Sequence, residues 1–394
     1  MRIRQLDLLI SKLSFMRIGL FSDMYMPHIS GITHHVQLYK KYFEEQGHEV
    51  LLFTFGDYDH VDDEPNIIRT RGLEWGETGW SVAPQFSHEA KELISTLDIA
   101  HAHHPFQSGR LVAHLTAKHD IPLVFTNHTR YDLYSDAYVS YVPHNIRYRY
   151  IRLALSHALN QCDAVITPSQ SIAQWLADFV QYRDATVIPN GINIDRFAHP
   201  TTQLTRQEVG LEDDAFVFCY AGRIAPEKNT LYLLDEFALV AQELPDVQLL
   251  IIGDGPDFDK LQQAIEENNL QDKVVCAGMQ PYEILPAYEQ LADVFVTGSI
   301  SEVHPLVVLE AMAAGLPVVA IDSPGIRETV QQNINGLLAT HIAPRALADN
   351  MLEFAGDAML MQKLKEGTRK SIQQYTLPKT AGKVLKMYEQ LVGG

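Results

Sequence analysis

The sequence predicts an α/β protein made of two successive Rossmann-like domains with a ligand cleft between them. Three observations predict this. Short β-rich apolar runs alternate with helix-length amphipathic segments from end to end, the pattern of parallel sheets covered by helices. These runs fall into two sets of five, one in each half of the chain. Between the sets, VIPNGINIDRF (187–197) holds a Pro and an Asn-Gly turn and leads into polar, strandless sequence to about 214, the expected interdomain hinge. At 394 residues the chain is long enough for two ordinary domains, each with its own core.

In the first half the expected strands are RIGLFS (17–22), EVLLFTF (49–55), DIAHAH (98–103), PLVFTN (122–127) and AVITPS (164–169). A helix between the first two carries Val36, Tyr39, Tyr42 and Phe43 on one face. Gly47 suits the position just past its end, where left-handed backbone is wanted. In the second half the strands are FVFCYAG (216–222), VQLLIIGDG (247–255), KVVCAGM (273–279), ADVFVTGS (292–299) and PVVAID (317–322). The longest apolar runs, such as 247–253 and 316–321, have strand length, far short of the roughly 18 residues of a membrane-spanning helix.

A composition 46% hydrophobic and 20% charged argues against disorder, collagen-like repeats and a coiled coil. The net charge of −18 makes a poor general binder of nucleic acid, and no nucleic-acid partner is expected. Cys162, Cys219 and Cys276 are far apart, each beside an apolar stretch. That pattern suits a reducing compartment and gives neither a disulfide framework nor a zinc site. The opening MRIRQLDLLISKLSF looks like a secretory signal, but Asp7 and Lys12 interrupt its apolar core and no small-residue cleavage site follows. Residues 1–15 are therefore expected to be an extension or misplaced start ahead of Met16, with a short amphipathic surface helix as the alternative.

The strongest local signal is SISEVHPLVVLEAMAAGLPVVA (299–320), in which seven residues separate Glu302 from Glu310. Pro305 fits the first turn of a helix, and the N–H groups of Leu306 and Val307 would then point into the cleft and hold an anion. A carboxylate one or two turns in, such as Glu310, can accept hydrogen bonds from a vicinal diol. Alone, the two glutamates would read as a solvated helix residue and a loop charge. In AGRIAPEKN (221–229), Arg223 and Lys228 follow a strand, where an α/β domain holds a phosphate-bearing ligand. IIGDGPDFDKL (251–261) adds a Gly-rich turn that either lets backbone approach a ligand or simply tightens a strand–helix connection. In MPHISGITHHV (26–36), Gly31 is placed to bring backbone N–H groups against a diphosphate from the opposite wall. This is not G-x-G-x-x-G, so a nicotinamide dinucleotide is not favoured. His128, in FTNHTRYDLY (125–134), ends a strand at the same rim.

His101, His103 and His104, with the pair His34–His35, raise the question of metal. No Cys partners them and adjacent histidines rarely chelate together, so no metal site is expected. Asp57–Asp59 and Asp257–Asp259 match an Asp-x-Asp pattern, but the first lies in a polar loop and the second reads as the acidic first turn of a helix.

Taken in order, SDMYMPHISGITHHV, VFTNHTRYDLY, VIPNGINIDRF, YAGRIAPEKN, IIGDGP and SEVHPLVVLEAMAAGLPVVA resemble the retaining glycosyltransferases of family 4, which have the GT-B fold. The resemblance runs from about Met16 to the C-terminus and is nearest to the diacylglycerol glucosyltransferase branch. It implies an acceptor-binding domain at 16–197 and a sugar-nucleotide-binding domain at 198–374, with a C-terminal helix at about 375–394 packing back on the first. It implies that Arg223 and Lys228 neutralise the donor diphosphate, Glu310 binds the ribose hydroxyls and Glu302 contacts the transferred hexose. Backbone near Gly253–Gly255 and Met279 would meet base and ribose, Gly31 would close over the phosphates, and His128 would lie beside the reacting sugar. Tyr131, Tyr134 and His104 are the expected acceptor contacts. The donor is a sugar nucleotide, UDP-glucose first, with no cofactor and no metal. Family members commonly have Gly where Pro305 stands, so this chain lacks one backbone N–H at the expected sugar-binding loop.

The segment 128–152 is rich in Tyr (131, 134, 138, 141, 148, 150) and carries Arg130, Arg147, Arg149 and Arg152. Such side chains suit a bilayer interface, or else line an acceptor pocket or pack the domain. The expected reading is a metal-independent retaining hexosyltransferase, cytoplasmic or peripheral on the inner face of the cell membrane, with a lipid acceptor. A soluble sugar or small alcohol is the alternative acceptor. A sugar-nucleotide isomerase and a catalytically silent binding module are the readings from other classes.

Overall fold

β-branched and aromatic residues in short apolar runs form fifteen strands among the described residues, which are 15–56, 60–75, 80–139 and 141–393 of this computed structural model. Seven build the N-terminal parallel sheet: β1 (Arg17–Phe21), β2 (Glu49–Gly56), β3 (Ile67–Arg71), β6 (Ile99–Ala102), β7 (Leu123–Thr126), β8 (Ala164–Thr167) and β9 (Thr186–Val187). A hairpin of β4 (Leu73–Trp75) and β5 (Trp80–Val82) forms a small separate sheet. Six more build the C-terminal parallel sheet: β10 (Phe216–Ala221), β11 (Val247–Ile252), β12 (Val274–Gly278), β13 (Val294–Thr297), β14 (Val318–Ile321) and β15 (Gly336–Ala339).

All ten strands expected from the sequence are present, with ends shifted by three residues at most. β3, β4, β5, β9 and β15 escaped notice: IIRTR carries two arginines, and β4, β5 and β9 are only two or three residues long. The helix Gly31–Glu45 buries Val36, Tyr39 and Phe43, and Gly47 follows it with φ +91°. The stretch 187–197 is not bare loop. It closes β9, bridges to Thr376 at Ile192, and opens the short helix Ile194–Ala198.

Strand order is 3-2-1-6-7-8-9 in one sheet and 12-11-10-13-14-15 in the other. Each order reverses beside its central strand, between β1 and β6 and between β10 and β13. In open α/β sheets the crevice outside the carboxyl ends of the strands at such a point receives the ligand. Register sets the packing: Phe21 of β1 lies opposite Phe53 of β2, and their rings stack 4.6 Å apart. Each sheet is covered by an apolar cluster on both faces.

The C-terminal helix Leu377–Gly393 sends Ala381, Val384, Leu385 and Tyr388 into the cluster built on β1 and β2. The chain thus crosses between the halves twice, and the crossings are tied together. Ile192 N–H donates to the Tyr375 carbonyl (2.8 Å), and Leu377 N–H to the Ile192 carbonyl (3.3 Å). Three further bonds join the halves at the cleft. The Glu328 carboxylate accepts the N–H groups of Gln170 (2.6 Å) and Ser171 (2.7 Å), capping the helix Gln170–Phe179, whose own Ser169 supplies no side-chain cap. Asn190 Nδ2 donates to the His304 carbonyl at 2.8 Å.

Residues 1–14 and the pair Asp57–Asp59 lie outside the described residues. Among those described, no helix is long and apolar enough to cross a membrane.

Candidate active site

On the C-terminal side, β10 and β13 deliver two loops to the cleft. Arg223 sits in the first, exposed, with its carbonyl held by the Tyr220 hydroxyl at 2.8 Å. It reaches toward the opposite wall: burial first, then the Arg223 charge, holds His28 below the usual imidazole range. A 3-10 turn at Pro226–Lys228 brings Lys228 to the second loop, where Nζ donates to Glu302 Oε1 at 2.6 Å. Burial works to raise the Glu302 pKa, but Lys228 and a hydrogen bond from Ser299 outweigh it, so the carboxyl lies below its ordinary value. The two loops are pinned by Asn229 Nδ2 donating to the Gly298 carbonyl at 2.9 Å.

The helix Leu306–Ala313 follows. Pro305 is its N-cap rather than a residue of its first turn, so the N–H groups of Leu306 and Val307 lead the helix. The helix is apolar on nearly every side, which places Glu310 inside the protein, only 3% exposed, and not on a solvated face. Burial raises its pKa to about 7, against the lowering effect of Tyr282 and Arg196. Those two residues were missed from the sequence. The Arg196 guanidinium stands 4.5 Å over the Tyr282 ring, which also stacks at 4.2 Å on His34 of the N-terminal domain.

Gly253 and Gly255 have a structural reason not seen in the sequence. Gly253 has φ +140°, and a Cβ there would fall 1.9 Å from the Gly222 carbonyl oxygen. One at 255 would fall 2.2 Å from that of Ile224. The glycines let the loops after β10 and β11 interlock, with Gly222 N–H donating to Ile252 (2.9 Å) and Ile224 N–H to Asp254 (3.0 Å). Met279 is largely exposed just past β12. Asp257 precedes the helix Phe258–Glu267 and pairs with Lys260 at 2.6 Å; Asp259 lies in that helix's first turn.

The N-terminal wall is built from loops after β1, β6 and β7. Gly31 opens the helix Gly31–Glu45, held by a reciprocal cap between Ser30 and Thr33, and a Cβ at 31 would meet nothing within 4 Å. His104 is buried; its Nδ1 accepts the Asp23 N–H at 3.1 Å, leaving the proton of the neutral ring on Nε2. His128 is half-buried, and its Nε2 shares a 2.9 Å hydrogen bond with His103 Nδ1. Burial, then neighbouring histidines, push its pKa well down, so the ring is neutral. Tyr131 is buried edge-on against Phe106. Tyr134 is exposed and near enough to Arg223 and Glu227 to feel both charges.

The Tyr/Arg segment forms the helices Tyr131–Tyr138 and His144–Leu159. Two of its arginines are not the surface cations expected. Arg147 donates to the carbonyls of Val139 (2.9 Å) and Val142 (3.0 Å) and pairs with Asp136, with a side chain only 9% exposed. Arg130 pairs with Asp132 at 2.6 Å and lies over Trp175. Arg149 and Arg152 are exposed on a face that also presents Ile146, Tyr150 and Leu153, opposite the buried Ile151, Leu155 and Ala158.

Both halves match known families. "Glycosyl transferases group 1" matches residues 201–371 and "Glycosyltransferase Family 4" residues 29–196. An alpha-monoglucosyldiacylglycerol synthase of Streptococcus pneumoniae is 30% identical over 339 residues, 82% of this chain and 75% of that one. Another, from Acholeplasma laidlawii, is 30% identical over 345 residues, covering 82% of this chain and 84% of its own. Among solved structures, a sucrose-phosphate synthase from Thermosynechococcus elongatus superposes with a TM-score of 0.78 at 22% identity, covering 96% and 99% of the two chains. Anabaena HepE in complex with UDP and glucose gives 0.77 at 20% identity, covering 95% and 100%. At such identities the solved structures speak for the fold.

Proposed function

Because the chain belongs to the group 1 and family 4 glycosyltransferases, with the GT-B fold, we propose that it transfers glucose from UDP-glucose to a hydroxyl of diacylglycerol, retaining the anomeric configuration without a divalent metal. The observation that carries the acceptor is the exposed face of His144–Leu159 and the loop before it. Tyr141 (81% exposed), Ile146, Tyr150 and Leu153 stand in solvent beside Arg149 and Arg152, the composition of a surface that lies on anionic lipid. The two synthases named above support the same acceptor class.

The chemistry follows from charge. Breaking the bond between the anomeric carbon and the diphosphate builds negative charge on phosphate and positive charge on the sugar. Arg223, Lys228 and the N–H groups of Leu306 and Val307 answer the first, as donors fixed before the reaction begins. The ionised Glu302 answers the second. Glu310 takes the ribose diol, and neutral His128 lines the opposite wall beside the sugar. The acceptor oxygen bonds to the anomeric carbon on the face the phosphate leaves, and the acceptor proton passes to the leaving phosphate oxygen. UDP departs, and no second carboxylate is needed as a nucleophile.

Incubating the protein with UDP-glucose and diacylglycerol in mixed micelles is expected to release UDP and give an α-linked glucolipid, undiminished by excess EDTA. A β-linked product overturns retention, and an absolute need for Mn²⁺ or Mg²⁺ overturns the metal-free step. Transfer to soluble sugars alone overturns the lipid acceptor. A new UDP-sugar with no transfer would mark an isomerase.

Docking has its own expected result. Binding to vesicles should rise with anionic lipid, fall with salt, and weaken by about 1 kcal/mol, roughly fivefold, in Arg149→Ala in a flotation assay. Arg147→Ala should instead lower the melting temperature, because its guanidinium holds the turn at Val139 and Val142. Equal vesicle binding by wild type and Arg149→Ala/Tyr150→Ser would sink this surface.

A further inference from the structure

Four imidazoles meet beneath the cleft on its N-terminal side. His35 comes from the helix Gly31–Glu45, His101 from β6, and His103 and His128 from the loops after β6 and β7. His101 is an ordinary structural histidine: one ring nitrogen meets the Tyr388 hydroxyl and the other the Thr126 hydroxyl at 2.7 Å. The remaining three differ. His103 is fully buried, yet its Nε2 has no hydrogen-bond partner in the protein. His35 is 3% exposed; the Asn190 side chain is its polar neighbour, yet neither ring nitrogen makes a hydrogen bond of good geometry. Buried polar atoms are nearly always paired, and an orphan costs about 1–3 kcal/mol, so three in one spot call for a reason. The rings crowd together, with centroids 4.6 Å apart for His35–His128, 5.1 Å for His103–His128 and 5.6 Å for His35–His103. One nitrogen from each lies within 4.8 Å of the other two.

We propose that His35, His103 and His128 form a three-imidazole binding site for a late first-row divalent cation, with zinc as the reference ion. The donor set is all nitrogen. Imidazole suits Zn²⁺, Co²⁺ and Cu²⁺, whereas Mg²⁺ and Mn²⁺ want carboxylate or water oxygens, which the trio does not offer. Burial holds all three rings in the neutral form that coordinates metal. Zinc bonded tetrahedrally at about 2.1 Å sets its nitrogens about 3.4 Å apart, so the trio closes by about 1.4 Å at most. The His103–His128 hydrogen bond occupies one lone pair, so binding requires one of those rings to move its proton to the other nitrogen. Three protein ligands leave a fourth position for water or another donor, and His128 is the one half-buried ring of the three. An ion there fixes the His128 ring and stops glycosyl transfer. That consequence rests on the role given to His128 above; the site itself does not.

The test dialyses EDTA-treated full-length protein against Zn²⁺ and, separately, Co²⁺. The expected result is one equivalent of zinc, and a strong visible cobalt spectrum of tetrahedral type that EDTA abolishes. His103→Gln and His35→Gln should each weaken zinc binding by at least about 100-fold, since even the partners behind a ligand carry 10- to 100-fold. Thermal melting monitors the fold of these variants, and His114→Ala removes an exposed histidine as a control. No bound ion, zinc binding by both glutamine variants equal to wild type, or a weak octahedral cobalt spectrum overturns the site. The cobalt spectrum is decided on wild type, so a misfolded variant does not stall the test. In the transfer assay, inhibition by zinc that EDTA reverses supports the consequence. Full activity with the ion bound leaves the site standing and overturns the placing of His128 beside the sugar.

Discussion

Lys228→Ala is expected to lower kcat/KM by about 10²- to 10³-fold, the cost of losing one fixed donor to a developing anion. The loss has two parts. The diphosphate loses a cation, and Glu302 loses the ammonium 2.6 Å away that keeps its partly buried carboxylate charged. A charge left unpaired in such a site is destabilising or takes up a proton. Adding Glu302→Gln to Lys228→Ala should therefore recover melting temperature without recovering activity. Arg223→Ala should cost about 10²-fold in kcat/KM. Steady-state kinetics beside thermal melts decide both, and a kcat/KM for Lys228→Ala within threefold of wild type would remove the lysine from the mechanism.

Glu310→Ala is expected to weaken UDP binding by about 1.5–3 kcal/mol, the range for a hydrogen bond to a charged group, with the fold intact. Calorimetry reads this directly, and unchanged affinity would take Glu310 out of the site. A pH dependence goes with it. Burial raises the Glu310 carboxyl from 4.5 to about 7, so the folded protein holds its proton between these values while the unfolded chain does not. Its contribution to stability is therefore full below pH 4.5 and is lost as pH rises through about 7. Nucleotide binding runs the other way. A ribose diol donates to the ionised form, so affinity should rise up to about pH 7 and level off above it. Comparing wild type with Glu310→Gln cancels the titration of the diphosphate itself.

Strand positions could be read from the sequence because a strand buried on both faces shows as an unbroken apolar run, as VQLLII does in β11. β3 could not, because Arg69 and Arg71 break its run; Arg69 folds under only by pairing with Asp62 at 2.6 Å, a tertiary event. The same limit shapes the site. Glu302, Glu310 and Lys228 lie in compact motifs near strand ends, whereas Arg196 and Tyr282 are brought together only by the fold. His35, His103 and His128 are 68 and 25 positions apart, so no spacing rule links them. Arg147 shows the opposite failure. Composition made it a surface cation, and geometry made it the clamp of a turn.

The cap that Glu328 lends to the helix Gln170–Phe179 turns the cleft into a clasp with a measurable tension. A helix normally carries its own cap, so its integrity is indifferent to what its neighbours do. Here the first turn of one domain is complete only while the other stays close. Swinging the halves apart to admit a substrate strips two N–H groups and hands the carboxylate to water, a local cost of about 1 kcal/mol added to whatever the hinge demands. Because the clasp is charge-assisted and lies near solvent, salt slackens it, and the protein should gape more readily as ionic strength rises.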